Sequence, residues 1–259
     1  MSPAAPPRRV SLIAAVASLF ACALTTAGCD SRDDAAKAQV SAVPAVKPGD
    51  GVVRGTVTFA GTAPEMAEIA NVPCHDGAPP LKEETVVVDP ATKGLANVVV
   101  YLKGVRASEG VTTDKTPPPP VLDQVHCRYT PHVVAVEAGR PLVVRSSDDA
   151  MHNVHYAPAG NPAANFGMTG PGQEKTVTFA KPELAVRVKC DVHPWMTAYV
   201  AVMGNPWFAV TDAHGKFEVS HLPAGTYTLA AWHERYGEVT RQVTVGDGTG
   251  GDVAFEYKP

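Results

Sequence analysis

Short runs of β-branched and aromatic residues, separated by Gly-, Pro-, Asn- and Asp-rich turns, make up most of the sequence after residue 51. No stretch of a dozen residues carries the 3.6-residue apolar spacing of an amphipathic helix. The pattern predicts an all-β chain built from Greek-key sandwiches. The candidate strands are 52–59, 96–102, 132–137, 141–145, 175–180, 184–190, 198–203, 207–211, 216–220, 226–231, 239–245 and 252–257. Within one of them, Leu184, Val186, Val188 and Cys190 alternate, which predicts that all four side chains face the same side.

Composition excludes several classes of protein. The chain has 259 residues with 45% hydrophobic residues and a formal net charge of −4, which does not fit a disordered chain. It has no excess of Lys and Arg over Asp and Glu, so we expect no nucleic-acid partner. Five cysteines are too few for a fold held together mainly by disulfides.

The N-terminus reads as an export signal. Arg8 and Arg9 precede an apolar run, 10–24, that is shorter than the roughly 20 residues of a membrane-spanning helix. The segment ends at Ala-Gly-Cys and resembles a bacterial lipoprotein signal, which implies removal of residues 1–28 and acylation of Cys29. Ordinary secretion with cleavage nearby is the alternative, and the paired arginines also allow twin-arginine export. We expect an exported protein, lipid-anchored to the membrane and facing the periplasm or the cell exterior.

The remaining chain divides at two breaks. Residues 117–120 are four consecutive prolines, which do not fit inside a sheet, and Gly204-Asn205-Pro206 marks a second break. We expect a flexible tether over 29–50, a discontinuous sandwich over 51–115 plus 206–259, and an inserted domain over 116–205. The discontinuous part resembles the carboxypeptidase regulatory-like, transthyretin-like sandwich through Val53-Arg54-Gly55-Thr56-Val57, 210–217 and 222–227. Such sandwiches are structural or binding modules.

The inserted segment carries a set of metal-binding residue types. Cys190, His193 and Met196 have the spacing Cys-x2-His-x2-Met and follow one strand, and Met151-His152-Asn153-Val154-His155-Tyr156 lies in or beside another strand. Two imidazoles, one thiolate and a weak thioether are the ligand set of a copper site that cycles between oxidation states. Zinc and a metal-free scaffold are the alternatives, and the thioether counts against zinc.

These residues, with the His-Asn-Val-His strand, resemble the amicyanin-like cupredoxins. The resemblance covers about the central third of the chain and implies one type 1 copper ion bound by His152, Cys190, His193 and Met196. It further implies that Asn153 ties the two ligand segments together and that Pro194 and Trp195 form an apolar collar beside His193. His155 should point away from His152. Met151 departs from the family, in which Pro is common at that position.

The other cysteines and histidines allow further interpretations. With Cys22 removed, Cys29 acylated and Cys190 bound to copper, Cys74 and Cys127 are left, and we predict a disulfide between them; the alternative is two buried free thiols. His126, Cys127 and His132 could form a second metal site. His221 and Trp232-His233-Glu234 could line a groove, although exposed strand ends and turns are the simpler interpretation.

The sequence therefore predicts an envelope-anchored type 1 copper protein that transfers electrons and is not an enzyme. Its expected partners are the membrane, through the lipid, and a redox protein such as a c-type cytochrome or a periplasmic dehydrogenase. The alternatives are a copper-binding or copper-delivery module without redox duty, and a structural envelope protein with a cupredoxin scaffold. A multicopper oxidase is disfavoured, because no His-x-His pair occurs in the chain.

Overall fold

In a computed structural model, the chain is described over residues 45–46, 48–70, 72, 80–107, 117–246 and 250–259. The described residues belong to one compact unit and contain β-strands but no α-helix. The expected all-β class is confirmed. Over these ranges no helix is long and apolar enough to cross a membrane.

The described residues form twenty strands. They are β1 (Ala45–Val46), β2 (Gly51–Phe59), β3 (Glu68–Ile69), β4 (Leu81–Lys82), β5 (Val99–Lys103), β6 (Arg106–Ala107), β7 (Val121–Val125), β8 (Arg128–Thr130), β9 (Val133–Glu137), β10 (Pro141–Ser146), β11 (His152–Tyr156), β12 (Ala164–Met168), β13 (Gln173–Thr178), β14 (Glu183–Lys189), β15 (Thr197–Met203), β16 (Phe208–Val210), β17 (Lys216–Leu222), β18 (Gly225–His233), β19 (Gly237–Val245) and β20 (Gly251–Tyr257).

The middle of the chain forms one β-sandwich. Its sheets have the strand orders β13-β10-β7-β8 and β12-β11-β14-β15-β9. Alternate residues of both sheets point inward and bury a shared core that includes Leu122, Val144, Val186 and Val200. The core stabilises the sandwich because it removes these apolar side chains from water. The candidate metal residues lie at one end of this core.

The flanking segments form a second β-sandwich. Its sheets have the orders β16-β5-β18-β19 and β17-β2-β20, so strands from before and after the middle segment hydrogen-bond to one another. β2 pairs with β17 and, in parallel, with β20, while β5 pairs with β16 and β18. The core includes Phe59, Trp207, Leu229 and Phe255.

A third, smaller apolar cluster joins the two sandwiches. Val133, Ala201 and Met203 from β9 and β15 are buried against Val99 of β5, and Trp232 of β18 packs beside them. The outer face of one five-stranded sheet is thus covered by the outer face of a sheet of the second sandwich. The segment after β15 is tied to the second sandwich by the buried side chain of Asn205. Its Nδ2 donates to the carbonyl oxygens of Leu102 and Val105.

Two details differ from the sequence-based expectation. The prediction that Leu184 shares a face with Val186, Val188 and Cys190 is wrong. The β14–β15 register shifts between Glu183 and Val186, so Leu184 packs at the cluster between the sandwiches while the other three enter the core of the first. Strands β7, β8 and β12 are missing from the predicted strands, because with 5, 3 and 5 residues they are too short for an alternating pattern to stand out from the turns around them.

Several expectations fall on parts of the chain outside the described residues. These are the signal over 1–28, the lipidated Cys29, most of the tether over 29–50, and Cys74. At the end of the expected tether, Ala45–Val46 pairs in parallel with Arg106–Ala107.

Candidate metal centre

The loop from Cys190 to Met196 connects β14 to β15 and is closed by its own backbone. The Cys190 amide donates to the Met196 carbonyl oxygen over 3.1 Å, and the Met196 amide donates to the His193 carbonyl oxygen over 2.9 Å. A loop closed at both ends holds its three sulfur- and nitrogen-bearing side chains in a limited volume. The two backbone hydrogen bonds therefore keep these three side chains close together.

Three donor atoms meet in this volume. The Nδ1 atoms of His152 and His193 are 2.9 Å apart, and the Cys190 Sγ lies 3.7 Å from the His193 Nδ1. His152 and Cys190 are almost completely buried. Donors about 2.0–2.3 Å from one metal ion stand roughly 3.3–3.8 Å from each other. The sulfur–nitrogen spacing fits that range, and the two rings need to separate by only a few tenths of an ångström.

The surroundings favour a thiolate at Cys190. Burial alone would raise its pKa, but hydrogen bonds from His152 and from the amides of Asn153, His193 and Val192 outweigh burial, and the pKa is lowered. At His152, burial acts to lower the pKa, but Cys190 and Asp148 outweigh it and the pKa is raised. Burial and the neighbouring His152 lower the pKa of His193. A thiolate and a neutral imidazole are the forms that bind metals.

Asp148 fixes the orientation of the His152 ring. Its Oδ2 lies 2.8 Å from the His152 Nε2 and accepts the Cys127 amide over 2.8 Å, while its Oδ1 accepts the His126 amide over 2.6 Å. Because Nε2 faces this carboxylate, Nδ1 is turned toward Cys190 and His193. A carboxylate behind a ligand histidine also increases the basicity of the ligand nitrogen.

Asn153 connects the two segments that carry the donors. Its Oδ1 accepts the Asp191 amide over 2.6 Å, its Nδ2 donates to the Asp191 and Asn165 side chains, and its amide points at the Cys190 Sγ over 3.5 Å. Asp191 also accepts from Lys189 and lies 2.8 Å from the His155 Nδ1. His155 is therefore part of a half-exposed polar network beside the donors and does not join them.

The remaining predicted residues surround the donors. The Trp195 ring centroid lies 5.2 Å from that of His193, and its Nε1 donates to the Cys127 carbonyl oxygen. Pro194 is exposed next to them. Met196 is buried in the same core as Cys190, and its backbone closes the ligand loop.

Cys127 is a second sulfur near the two histidines. Its Sγ and the ring nitrogens of His152 and His193 all lie within 4.8 Å of one another, the one His/Cys/Asp/Glu cluster of metal-binding spacing within the described ranges. Cys127 is disulfide-bonded, whereas Cys190 is a free, buried thiol. Cys190 is therefore the sulfur that can bind a metal as a thiolate. Because Cys74 lies outside the described residues, the Cys74–Cys127 pairing stays a prediction.

The other candidate histidines have different surroundings. His132 contacts Thr197 and Glu234, away from the donors, and His233 is buried against Tyr236 and Tyr257. His221 is exposed. Trp232 packs at the cluster between the sandwiches, while Glu234 lines a cavity beside the ligand loop.

Sequence reasoning missed two residues of this site. Asp148 lies in the turn after β10, and Tyr129 in β8 donates to the Asn153 carbonyl oxygen over 2.5 Å and to that of Lys189 over 3.3 Å. Tyr129 thus links the strands β11 and β14 that lead into the ligand segments. No spacing or motif marks either residue, because each reaches the site only through the packing of the two sheets.

Comparisons with known proteins give a partial family match. The model of the carboxypeptidase regulatory-like domain matches residues 187–258, which begin within β14, ahead of the second break in the sequence. No curated protein matches the chain.

Among solved structures, a Cu(I) form of a mutant amicyanin is 21% identical over 35% of this chain and 87% of its own, with a TM-score of 0.30. A copper-containing nitrite reductase from Thermus scotoductus SA-01 is 20% identical over 38% of this chain and 25% of its own, also with a TM-score of 0.30. The chain is thus weakly similar to these copper proteins over 35% and 38% of its length.

Proposed function

We propose that this protein binds one copper ion in a type 1 site and transfers electrons at the cell envelope, without transforming a substrate. The proposal is supported mainly by the free Cys190 thiol, whose Sγ lies 3.7 Å from the His193 Nδ1, itself 2.9 Å from the His152 Nδ1, in a buried β-sandwich core. His152, Cys190 and His193 would hold the metal in a plane, and Met196 would approach it as the weak fourth ligand.

The donor chemistry fits copper better than zinc. A thiolate with two imidazoles and a thioether is the set that copper electron-transfer sites use, whereas zinc sites complete their coordination with Cys, His or a carboxylate. Here Asp148, the carboxylate that contacts a ligand histidine, faces the far nitrogen of His152 and two backbone amides. Copper bound there would supply one-electron redox chemistry.

The surroundings favour electron transfer over open-site catalysis. The donors come from a closed loop and a buried strand, which hold them in place as the charge of the site changes. The His193 ring is only partly buried, and Met151 and Val192, next to the two histidines, are 55% and 50% exposed. An apolar rim around an accessible imidazole edge would suit brief docking of a redox protein, such as a c-type cytochrome or a periplasmic dehydrogenase.

The lipid anchor at Cys29 would keep this surface near the membrane. The expected export signal would place the mature chain in the periplasm or on the cell exterior. In that compartment a Cys74–Cys127 disulfide can persist while Cys190 is protected by its metal.

The first test is a visible spectrum of the purified protein after titration with Cu(II). We expect one equivalent to give intense absorption from charge transfer between Cu(II) and the Cys190 thiolate. Cys190→Ser should abolish this colour, because the hydroxyl does not replace the thiolate. His155→Ala is the matched control and should keep it, since His155 contacts Asp191 and not the donors.

Three outcomes would contradict the proposal. Wild-type protein that binds copper without colour excludes a type 1 site. A coloured protein that exchanges no electrons with a reduced c-type cytochrome or a small-molecule reductant favours copper delivery. Failure to bind copper in either oxidation state favours a structural role.

A further inference from the structure

We infer that Glu234, in the second sandwich, is a positioning residue for the metal loop of the first, acting through His132 and Thr197. The inference concerns the preformed loop, so it stands whether or not copper is bound; only its spectroscopic readout rests on the proposed function. The contact is between residues 102 apart in the sequence, and neither belongs to the ligand set.

The chain of contacts runs from one sandwich to the other. Glu234 follows the last residue of β18, and its Oε1 contacts the His132 Nε2. The other ring nitrogen of His132, Nδ1, lies 3.1 Å from the carbonyl oxygen of Thr197. A carbonyl oxygen only accepts, so Nδ1 donates in this contact and Nε2 is turned toward the carboxylate.

Thr197 directly follows Met196, whose carbonyl oxygen accepts the Cys190 amide. The carbonyl oxygens of two consecutive residues thus fix the end of the loop. That of Met196 accepts from the Cys190 amide within the loop, and that of Thr197 contacts His132 outside it. On its other side, the His132 carbonyl oxygen accepts the Tyr199 amide over 2.9 Å, so His132 is anchored to β15 by backbone as well as by side chain.

The contact between His132 and Glu234 is buried, so breaking it should cost more stability than breaking an exposed ion pair. The side chains of His132 and Glu234 are only 8% and 10% exposed. Tyr199 packs edge-on against the His132 ring, and burial and the charge of Glu234 raise the pKa of its hydroxyl. A buried pair that loses one partner leaves the other without compensation, unlike the exposed ion pairs elsewhere on this protein.

Next to the pair lies a cavity of about 230 Å³ that reaches the metal loop. Its walls include Trp195, Met196 and Tyr199 of the first sandwich and Glu234 of the second. Tyr199, two residues further along β15, packs against Trp232 of the second sandwich, whereas the contacts through His132 reach the residue that directly follows Met196. Removal of the Glu234 side chain should therefore increase the opening of the loop more than the opening of either sandwich core.

The test uses the metal-free, full-length protein and measures hydrogen exchange of individual amides. In Glu234→Ala we expect the amides of Cys190 and Met196 to exchange about tenfold faster, the factor for losing a hydrogen bond to a buried charge. Glu234→Gln keeps an oxygen that can accept from Nε2 and should recover most of the protection. Glu218→Ala is the matched control, because it removes an acid of the same sandwich whose partner, Arg54, is exposed.

A second readout uses the copper-loaded protein. The charge-transfer band and the reduction potential should shift in Glu234→Ala and stay at their wild-type values in Glu218→Ala. If the wild type shows no colour, the proposed function fails while the exchange result still decides the inference.

Two results would overturn the inference. One is unchanged exchange at Cys190 and Met196 in a folded Glu234→Ala protein. The other is an equal increase at the amides of the β18–β19 pair, which would show that Glu234 stabilises the whole molecule and not the loop. If Glu234→Ala does not fold, Glu234→Asp, which keeps the charge but shortens the side chain by one methylene and so withdraws it from the His132 Nε2, is compared with Glu218→Ala by the same criteria.

Discussion

His233 shows at the scale of one residue how burial couples this protein to pH. The ring is 1% exposed and lies against the rings of Tyr236 and Tyr257, and its Nδ1 accepts the Arg235 amide over 3.1 Å. Burial, partly offset by Glu234, lowers its pKa from 6.5 to about 4. The imidazole is therefore held in its neutral form where an unfolded chain would take up a proton.

This lowered pKa predicts a loss of stability in mild acid. Below about pH 6.5 the unfolded chain binds a proton at His233. The folded chain binds that proton only near pH 4. The contribution of His233 is thus complete above pH 6.5 and falls by up to about 3 kcal/mol as the pH approaches 4. Urea unfolding of metal-free protein at pH 7 and at pH 4.5 measures it.

The matched variants separate His233 from other acid-sensitive groups. His233→Asn keeps an oxygen near the Nδ1 position but no titrating ring, so its stability should depend less on pH across this window. His221→Asn, at an exposed histidine, should keep the full wild-type dependence. Identical pH dependence in His233→Asn and the wild type would contradict the prediction.

Strand β2 is the element on which one sheet of the second sandwich depends, because it pairs with β17 on one side and β20 on the other. Gly55 lies in its middle. A Cβ atom there would come within 1.8 Å of the Val253 carbonyl oxygen and 2.7 Å of the Phe217 ring. The neighbours are a backbone group and a ring of the core, and neither can move without opening a strand pair.

Gly55→Ala should therefore lower the free energy of unfolding by about 1–3 kcal/mol, the usual cost of overpacking. Gly170→Ala is the control, since a Cβ at Gly170 meets nothing within 4 Å. Chemical denaturation of both variants tests this expectation. A Gly55→Ala protein as stable as Gly170→Ala would show that β2 and β20 can separate at little cost.

Strand β14 could be predicted from the sequence, but the side of the sheet that each of its residues faces could be predicted only in part. Alternation holds from Val186 to Cys190, where the strand pairs regularly with β15. Before Val186 the register shifts and Leu184 turns to the cluster between the sandwiches. The apolar pattern is the same on both sides of the shift, because the outer face of β14 is partly covered by the second sandwich at Leu184, although it is exposed at Arg187 and Lys189.

For the whole molecule, the pairing of distant segments predicts how the chain behaves when it is cut. Residues 51–107 supply β2 and β5, which hydrogen-bond to β16, β17, β18 and β20 from residues 208–257. Neither segment alone completes the second sandwich core. The discontinuous domain over 51–115 plus 206–259 remains the organisation that we propose for these segments.

A protease site introduced between residues 107 and 117 tests this organisation. After cleavage, under reducing conditions so that no disulfide joins the fragments, we expect both fragments to elute together in size-exclusion chromatography and to separate only in denaturant. The uncut variant is the control. Fragments that separate in native buffer, each with a cooperative unfolding transition, would contradict the prediction.

The sequence could predict those features of the site that depend on neighbours along the chain. Cys190, His193 and Met196 lie within one short loop, so their spacing alone indicates that they act together. His152 required a family resemblance, since it belongs to another strand. Asp148, Tyr129 and the His132–Glu234 contact carry no signal of this kind, because their partners are chosen by how the sheets pack.

The amino-acid sequence by itself determined the all-β class, most strand positions and the Cys-x2-His-x2-Met loop, because strand periodicity and short-loop spacing are local properties. Only the tertiary structure decided which acid lies behind His152, which cysteine remains a free thiol, and that Glu234 of one sandwich reaches the loop of the other. These depend on burial and on side-chain contacts between residues far apart in the chain. Such contacts form only once both sandwiches have packed.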